Sequence, residues 1–248
     1  MLNTNLTLMF EKKFYILFSL VLIFTTSCQI NIKNNLNEDY LLLNYSFDKE
    51  QTIIKVGGEY TVNNKGETNK ALKLNGVDEF VIIKNSPKLK VEDEITLSIW
   101  IKPENFIGQG NNSIISKGNS KHEYPFYQYH LGIDGSKSKA TNKQFTFSLT
   151  ISGDTHTLKT KNNFWEAGNW YNLIGVYNGK AIKFYINSKL ISEKKGIHGK
   201  ITQFDTPICI GNFSNNINFY TPGTFDDLKI YNKGFSELKI KEMYAAKN

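Results

Sequence analysis

The chain has 248 residues, 40% of them hydrophobic and 13% aromatic, which is enough apolar surface for one large all-β domain that folds without disulfide staples. Thirty lysines and arginines against 23 acidic residues leave a net charge of +7. No block of five or six consecutive cations and no nucleic-acid recognition motif accompanies that charge, so it reads as a solvated basic surface and the partners expected exclude nucleic acid.

At the N-terminus, Lys12 and Lys13 precede an apolar run from Phe14 to Phe24 broken only by Ser19, and then Thr25, Thr26, Ser27 and Cys28. The run is about half the ~20 residues that a membrane-spanning helix needs, whereas a basic n-region, a short apolar h-region and small residues before a cut site mark a secretory signal. Residues 1–27 are therefore expected to be removed. The junction resembles a bacterial lipobox, which implies that Cys28 is lipidated and anchors the protein to a membrane of the cell envelope, periplasmic or surface-facing; Thr25 departs from the usual leucine. Residues 28–39, rich in Asn and without apolar periodicity, then read as the lipidated cysteine and its tether. The other cysteine, Cys209, lies between Ile208 and Ile210 and is expected to be a small buried hydrophobe.

From Tyr40 onward strands dominate. Ile95, Leu97, Ile99 and Ile101 alternate with Thr96, Ser98 and Trp100, and Pro103 ends the run. Phe145, Phe147, Leu149 and Ile151 alternate with Thr146, Ser148 and Thr150, leaving an uncharged, hydroxyl-rich face before a turn at Gly153-Asp154. Tyr171 to Tyr177, the Asn178-Gly179 pair and a strand bearing Ile182, Phe184 and Ile186 predict a hairpin with a type I′ turn. A last strand, Phe225 to Tyr231, leads to a helix over Ser236 to Ala246, with Ser236 as N-cap and Leu238 and Met243 or Tyr244 at helical spacing. One helix among so many strands excludes alternating β and α units. An all-β, antiparallel two-sheet sandwich with a short C-terminal helix remains, over residues 40–248.

Three groups of segments carry a family resemblance: LLNYSFD (42–48), ALKLNGVDEFVII (71–83) and ITLSIWIKP (95–103); then GNWYNLIGVYNGKAIKFYINSKLI (168–191); then FDDLKIY (225–231) with the helix. In this order they resemble the laminin-G-like jelly-roll domains of the concanavalin A-like lectin and glucanase superfamily. The resemblance implies a jelly roll with a concave sheet bordered by variable loops, and it leaves the ligand open, because that fold hosts lectins, glycosidases, adhesion modules and spacers. It also implies a structural calcium ion near the first and last strands, where Asp48 and Asp226 stand; the alternative is that both carboxylates hydrogen-bond turn amides, and Lys49 and Lys55 lie close by.

Retaining glycosidases on this fold place two carboxylates ~5 Å apart on one strand face. No strand here shows that pattern: Glu92, Asp93 and Glu94 precede the apolar alternation, and Asp78 and Glu79 occupy a turn. The four histidines, His122, His130, His156 and His198, are dispersed without metal-ligand spacing, so no catalytic residue is assigned. The most distinctive segment is Lys117 to Lys143. Its His122, Tyr124, Tyr127 and Tyr129, with Trp165 and Tyr220 from later loops, are the candidate ligand-binding residues, since aromatic rings stack on the apolar faces of sugars. The same alternation of Tyr127 and Tyr129 also fits core positions. The sequence thus predicts a membrane-tethered module for a glycan or cell-surface protein, without catalysis; the alternatives are a glycoside hydrolase or its accessory domain, and a spacer.

Overall fold

The computed structural model describes residues 39–48, 54–104, 112–134, 143–214 and 219–246. The predicted leader, Cys28 and nearly all of the tether lie outside the described residues. Residues 41–248 form one compact unit, and among the described residues it contains fifteen strands and one α-helix. In chain order these are β1 (Leu41–Tyr45), β2 (Ile54–Val56), β3 (Glu59–Thr61), β4 (Ala71–Leu74), β5 (Phe80–Ile83), β6 (Ile95–Pro103), β7 (Asn112–Gly118), β8 (Tyr127–Asp134), β9 (Gln144–Ile151), β10 (Asp154–Lys159), β11 (Tyr171–Tyr177), β12 (Ala181–Ile186), β13 (Lys189–Lys195), β14 (Ile208–Ile210), β15 (Gly223–Tyr231) and α1 (Glu237–Ala245).

The strands make two antiparallel sheets. One has the order β13-β12-β11-β6-β15-β4-β3, with β1 also paired to β15; the other runs β10-β9-β8-β7-β14-β5-β2. The predicted period-two runs supply the interior between them. Ile95, Leu97, Ile99 and Ile101 face Phe145, Phe147, Leu149 and Ile151 within one continuous buried cluster. Phe147 of the seven-stranded sheet meets Phe184 of the other at 6.1 Å between ring centroids. Gly175 makes that contact possible, since a methyl group there would sit 2.4 Å from the Phe147 ring.

The opposite faces of the two sheets differ, and the difference locates the site. On the eight-stranded sheet, Ile174, Val176, Tyr185 and Tyr231 point outward and form a second buried cluster with Phe235 and Ile240. Helix α1 covers this face: Ile240 is fully buried, and Tyr244 stacks on Trp100 at 5.6 Å. The helix is anchored by Ile240 together with the expected Met243 and Tyr244, whereas Leu238, expected on the same stripe, is 69% exposed. Ser236 caps it as expected, its side chain accepting from Lys239 N.

Turn chemistry also departs from expectation. In the β11–β12 hairpin Tyr177 pairs with Ile182, and the turn centres on Gly179 and Lys180, with Gly179 at φ 78°. Positive φ at the first central residue alone is the type II′ pattern; the Asn178 side chain instead accepts from Ala181 N at 2.9 Å. Two consecutive positive φ values, the type I′ pattern, occur at Asn187-Ser188 between β12 and β13 and at Ser152-Gly153 between β9 and β10. Cys209 is a buried thiol, as its neighbours predicted.

Candidate functional site

The seven-stranded sheet turns a polar face outward. On β9 and β10 this face is a hydroxyl ladder: Ser148 and Thr157 Oγ atoms lie 2.8 Å apart, as do those of Thr150 and Thr155. Thr150 in turn donates to the backbone oxygen of Tyr127, so the ladder fixes the start of β8.

That start is bulged. Tyr129 pairs with Lys117 and Tyr127 with Gly118, so two steps along β8 match one step along β7. A bulge reverses the side-chain parity of whatever precedes it. Tyr129 consequently points inward and is fully buried in the core, whereas Tyr127 turns outward and stacks on His130 at 4.5 Å and 13°. The two tyrosines that look equivalent in sequence have opposite surroundings.

Tyr127 and His130 form one side of a pocket of about 180 Å³, completed by Ser113, His122, Phe126, Phe213 and Phe219. Two glycines open room for these rings. A methyl group at Gly132 would fall 2.2 Å from His130 Cε1, and one at Gly118 2.9 Å from the Phe213 ring. The opposite wall hangs on Asn212, whose Oδ1 accepts from both Phe213 N and Phe219 N at 2.8 Å. Ser113 N donates to Phe219 O, and the Thr221 hydroxyl to Ser113 O, which ties that wall to β7. His122, at φ 53°, packs edge-on or tilted against Phe126, Phe213 and Phe219 at 5.0 to 5.5 Å.

Three polar groups serve the pocket. Ser113 Oγ and His130 Nε2 are 2.9 Å apart, and His122 Nδ1 is buried without a hydrogen-bond partner. Burial holds His130 neutral, pushing its pKa down to about 3. Burial, and then the Asp134 carboxylate, raise that of the Tyr127 hydroxyl. With His130 held neutral, the pocket offers apolar ring faces beside hydrogen-bonding groups, the combination suited to a polyol.

The buried His130 has a consequence for stability. Its folded pKa lies below the unfolded value of ~6.5, so between those values the unfolded chain binds more protons and stability falls as pH falls. We expect a loss approaching ~1.4 kcal/mol per pH unit from this group below about pH 6. Urea titrations at pH 7 and pH 4.5 should show a smaller drop for His130→Gln than for the parent chain; equal drops would remove His130 as the cause.

Of the other expected ligand residues, Tyr124 is 58% exposed beside the pocket, edge-on to Phe126, its hydroxyl accepting from Thr155 N. Tyr220 is half-buried next to Phe80 at 6.0 Å and lines a different stretch of surface. Trp165 is only 3% exposed and stacks on Phe145 in the core. Tyr129 and Trp165 are therefore packing residues, because neither ring has a face left for a ligand. Sequence reasoning placed His130 in the aromatic-rich segment without singling it out, and missed Ser113, Phe213 and Phe219. Glycines 118 and 132 inside strand-like runs were the available signal, since glycine in a strand marks close approach of another group.

Asp48 Oδ2 accepts from the Lys70 ammonium at 3.0 Å, and Asp226 is buried on β15 opposite Trp100. Among the described residues no group of three or more acidic, His or Cys side chains comes together. Calcium needs six to eight oxygen donors, and a carboxylate already paired with lysine does not fit that requirement.

The strands of the seven-stranded sheet carry two carboxylates, Asp134 and Asp154. They lie opposite Gln144 and Ile151 of β9, seven residues or roughly 24 Å apart along the strand. That separation is far beyond the ~5 to 9.5 Å of a glycosidase pair, and Asp134 is moreover bound to Lys159.

Residues 75–241 match the Laminin_G_3 family, described as the concanavalin A-like lectin/glucanases superfamily. The chain belongs to this family. Its laminin-G fold is similar to that of the binding domain of Paraclostridial Mosquitocidal Protein 1, at 15% identity and a TM-score of 0.66 over 85% of this chain and 53% of the other. The botulinum neurotoxin serotype G binding domain aligns at 14% identity and 0.60, over 84% and 51%. The receptor binding domain of the botulinum neurotoxin C/D mosaic serotype aligns at 16% and 0.62, over 84% and 51%. The laminin-G chain thus spans about half the length of these structures, and at such identity the likeness concerns the fold. No curated protein matches it.

Proposed function

We propose that this laminin-G domain is a carbohydrate-binding module of the cell envelope, tethered through a lipidated Cys28 and capturing a neutral sugar in the aromatic pocket of the seven-stranded sheet. The observation that carries this reading is the pocket itself: rings of Tyr127, Phe126, Phe213 and Phe219 surround the hydrogen-bonding groups of Ser113, His130 and His122. Its ~180 Å³ equals about six waters at ~30 Å³ each, room for a single sugar ring and not for a polymer laid lengthwise. Helix α1 covers the central part of the other sheet's outer face, which favours the seven-stranded sheet as the ligand face. The solved structures of similar fold reported above are named as binding or receptor binding domains, which is consistent with a recognition role. The basic, apolar N-terminus ending at Cys28 supports export and lipidation.

A glycan array probed with the purified chain tests the reading. We expect binding to glycans with neutral terminal sugars, competed by the free monosaccharide. A flat array from a protein with a sharp melting transition would instead support a spacer, and hydrolysis of a bound polysaccharide would support an enzyme. Radiolabelled palmitate incorporation in a bacterial host, lost in Cys28→Ser, checks the anchor.

A further inference from the structure

A second cleft, of about 470 Å³, borders β7 without sharing any residue with the aromatic pocket. Its rim is made by Asn85, Lys90, Phe204 and Asp205, and its floor includes Lys117. Lys117 sits within a sheet strand and is only 2% exposed. An ammonium carries three N–H donors. The hydrogen bond of Lys117 Nζ goes to the neutral amide oxygen of Asn85, and among the described residues it forms no ion pair. Asp205 attracts it, yet the Asp205 carboxylate is exposed and already accepts from Asn85 Nδ2. Burial lowers the Lys117 pKa, the sign of a charge that the surroundings do not fully compensate.

A buried ammonium without a counter-ion weakens a fold, and a methionine would fill the same space more favourably. Its placement at the bottom of an open cleft instead matches a site whose counter-ion arrives with a ligand. The other walls indicate what carries that anion. Phe204, held by its N–H donating to Gln128 Oε1 at 3.0 Å, provides an apolar surface, and Asp205 with Ser86 provides partners for hydroxyls. Lys90 on the rim adds positive charge, although Glu92 is its partner.

We infer that this cleft binds a carboxylated sugar residue of the hexuronate type, with its carboxylate on Lys117, its ring against Phe204 and a hydroxyl on Asp205. The inference rests on the reading of the chain as a glycan binder, but it uses a separate set of residues, so the two fail independently. The chain would then hold an acidic glycan at two points, a neutral sugar in one site and an acidic one in the other.

Calorimetric titration of the purified chain with glucuronate, glucose and acetate tests it. Glucuronate should bind at least tenfold more tightly than either of the others. Lys117→Met should abolish that preference while keeping or raising the melting temperature, and Phe204→Ala should weaken glucuronate without removing its advantage over glucose. Tyr127→Ala should leave glucuronate binding intact, which separates this cleft from the aromatic pocket. Equal affinity for glucuronate and glucose, acetate binding as tightly as glucuronate, or unchanged glucuronate binding by Lys117→Met would each overturn the inference. If Lys117→Met does not fold, the ligand comparison on the parent chain and the ¹⁵N resonance of Lys117 Nζ, which should move on adding glucuronate and stay still with glucose, decide the matter alone.

Discussion

Replacing Tyr127 with alanine is expected to weaken sugar binding about 30- to 100-fold, equivalent to ~2 to 3 kcal/mol, with the melting temperature shifted by only a few degrees. The ring is half-exposed, stacks on His130 and meets Phe213 at 5.6 Å, so it shapes the pocket from two sides. It lies outside the main buried cluster, which is why its removal should cost binding much more than folding. Tyr127→Phe keeps the stacking surface and should retain most of the affinity. Calorimetry with the best array ligand reads both variants. A tyrosine-to-alanine variant that binds normally would remove the pocket from the account.

Phe147→Ala should have the opposite signature, a loss of roughly 3 to 5 kcal/mol of stability without a direct effect on the pocket's chemistry. Phe147 is fully buried in the seam between the sheets, against Phe184 and over Gly175. Truncation leaves a void that β9 and β12, paired on both sides, cannot readily close. For a domain of this size we expect the melting temperature to fall by roughly 10 °C or more. A shift of only a degree or two would mean that the two sheets do not meet at this position.

The sandwich was legible because its signal is repeated locally: every other residue of β6 and of β9 is apolar, and each such strand states which side faces inward. The helix was legible from Ser236 and its spacing, although the buried residue proved to be Ile240, a choice made by the sheet surface beneath it. The pocket was only half legible. His122 and Tyr127 could be suspected from an aromatic-rich segment, but whether Tyr127 or Tyr129 faces the core depends on one extra residue in the pairing of β8 with β7. Such a register shift arises from strand pairing and leaves no periodic trace. Ser113, Phe213 and Phe219 were invisible for a different reason. They are brought to His130 by contacts distant in sequence, among them the Thr221 hydroxyl on the Ser113 carbonyl, 108 residues away. The same limit applied to the FDDLKIY strand, where a register shift around Asp227, at φ 47°, lets both Phe225 and Leu228 face inward.

The location of the ligand is what every functional statement depends on, and a crystal of the chain soaked with the strongest array hit addresses it directly. The account predicts density for one sugar ring enclosed by Tyr127, Phe213 and Phe219, hydrogen-bonded to the Ser113–His130 pair. A sugar seated on the helix-covered sheet, or at loops distant from β7 and β8 with that pocket vacant, would contradict it.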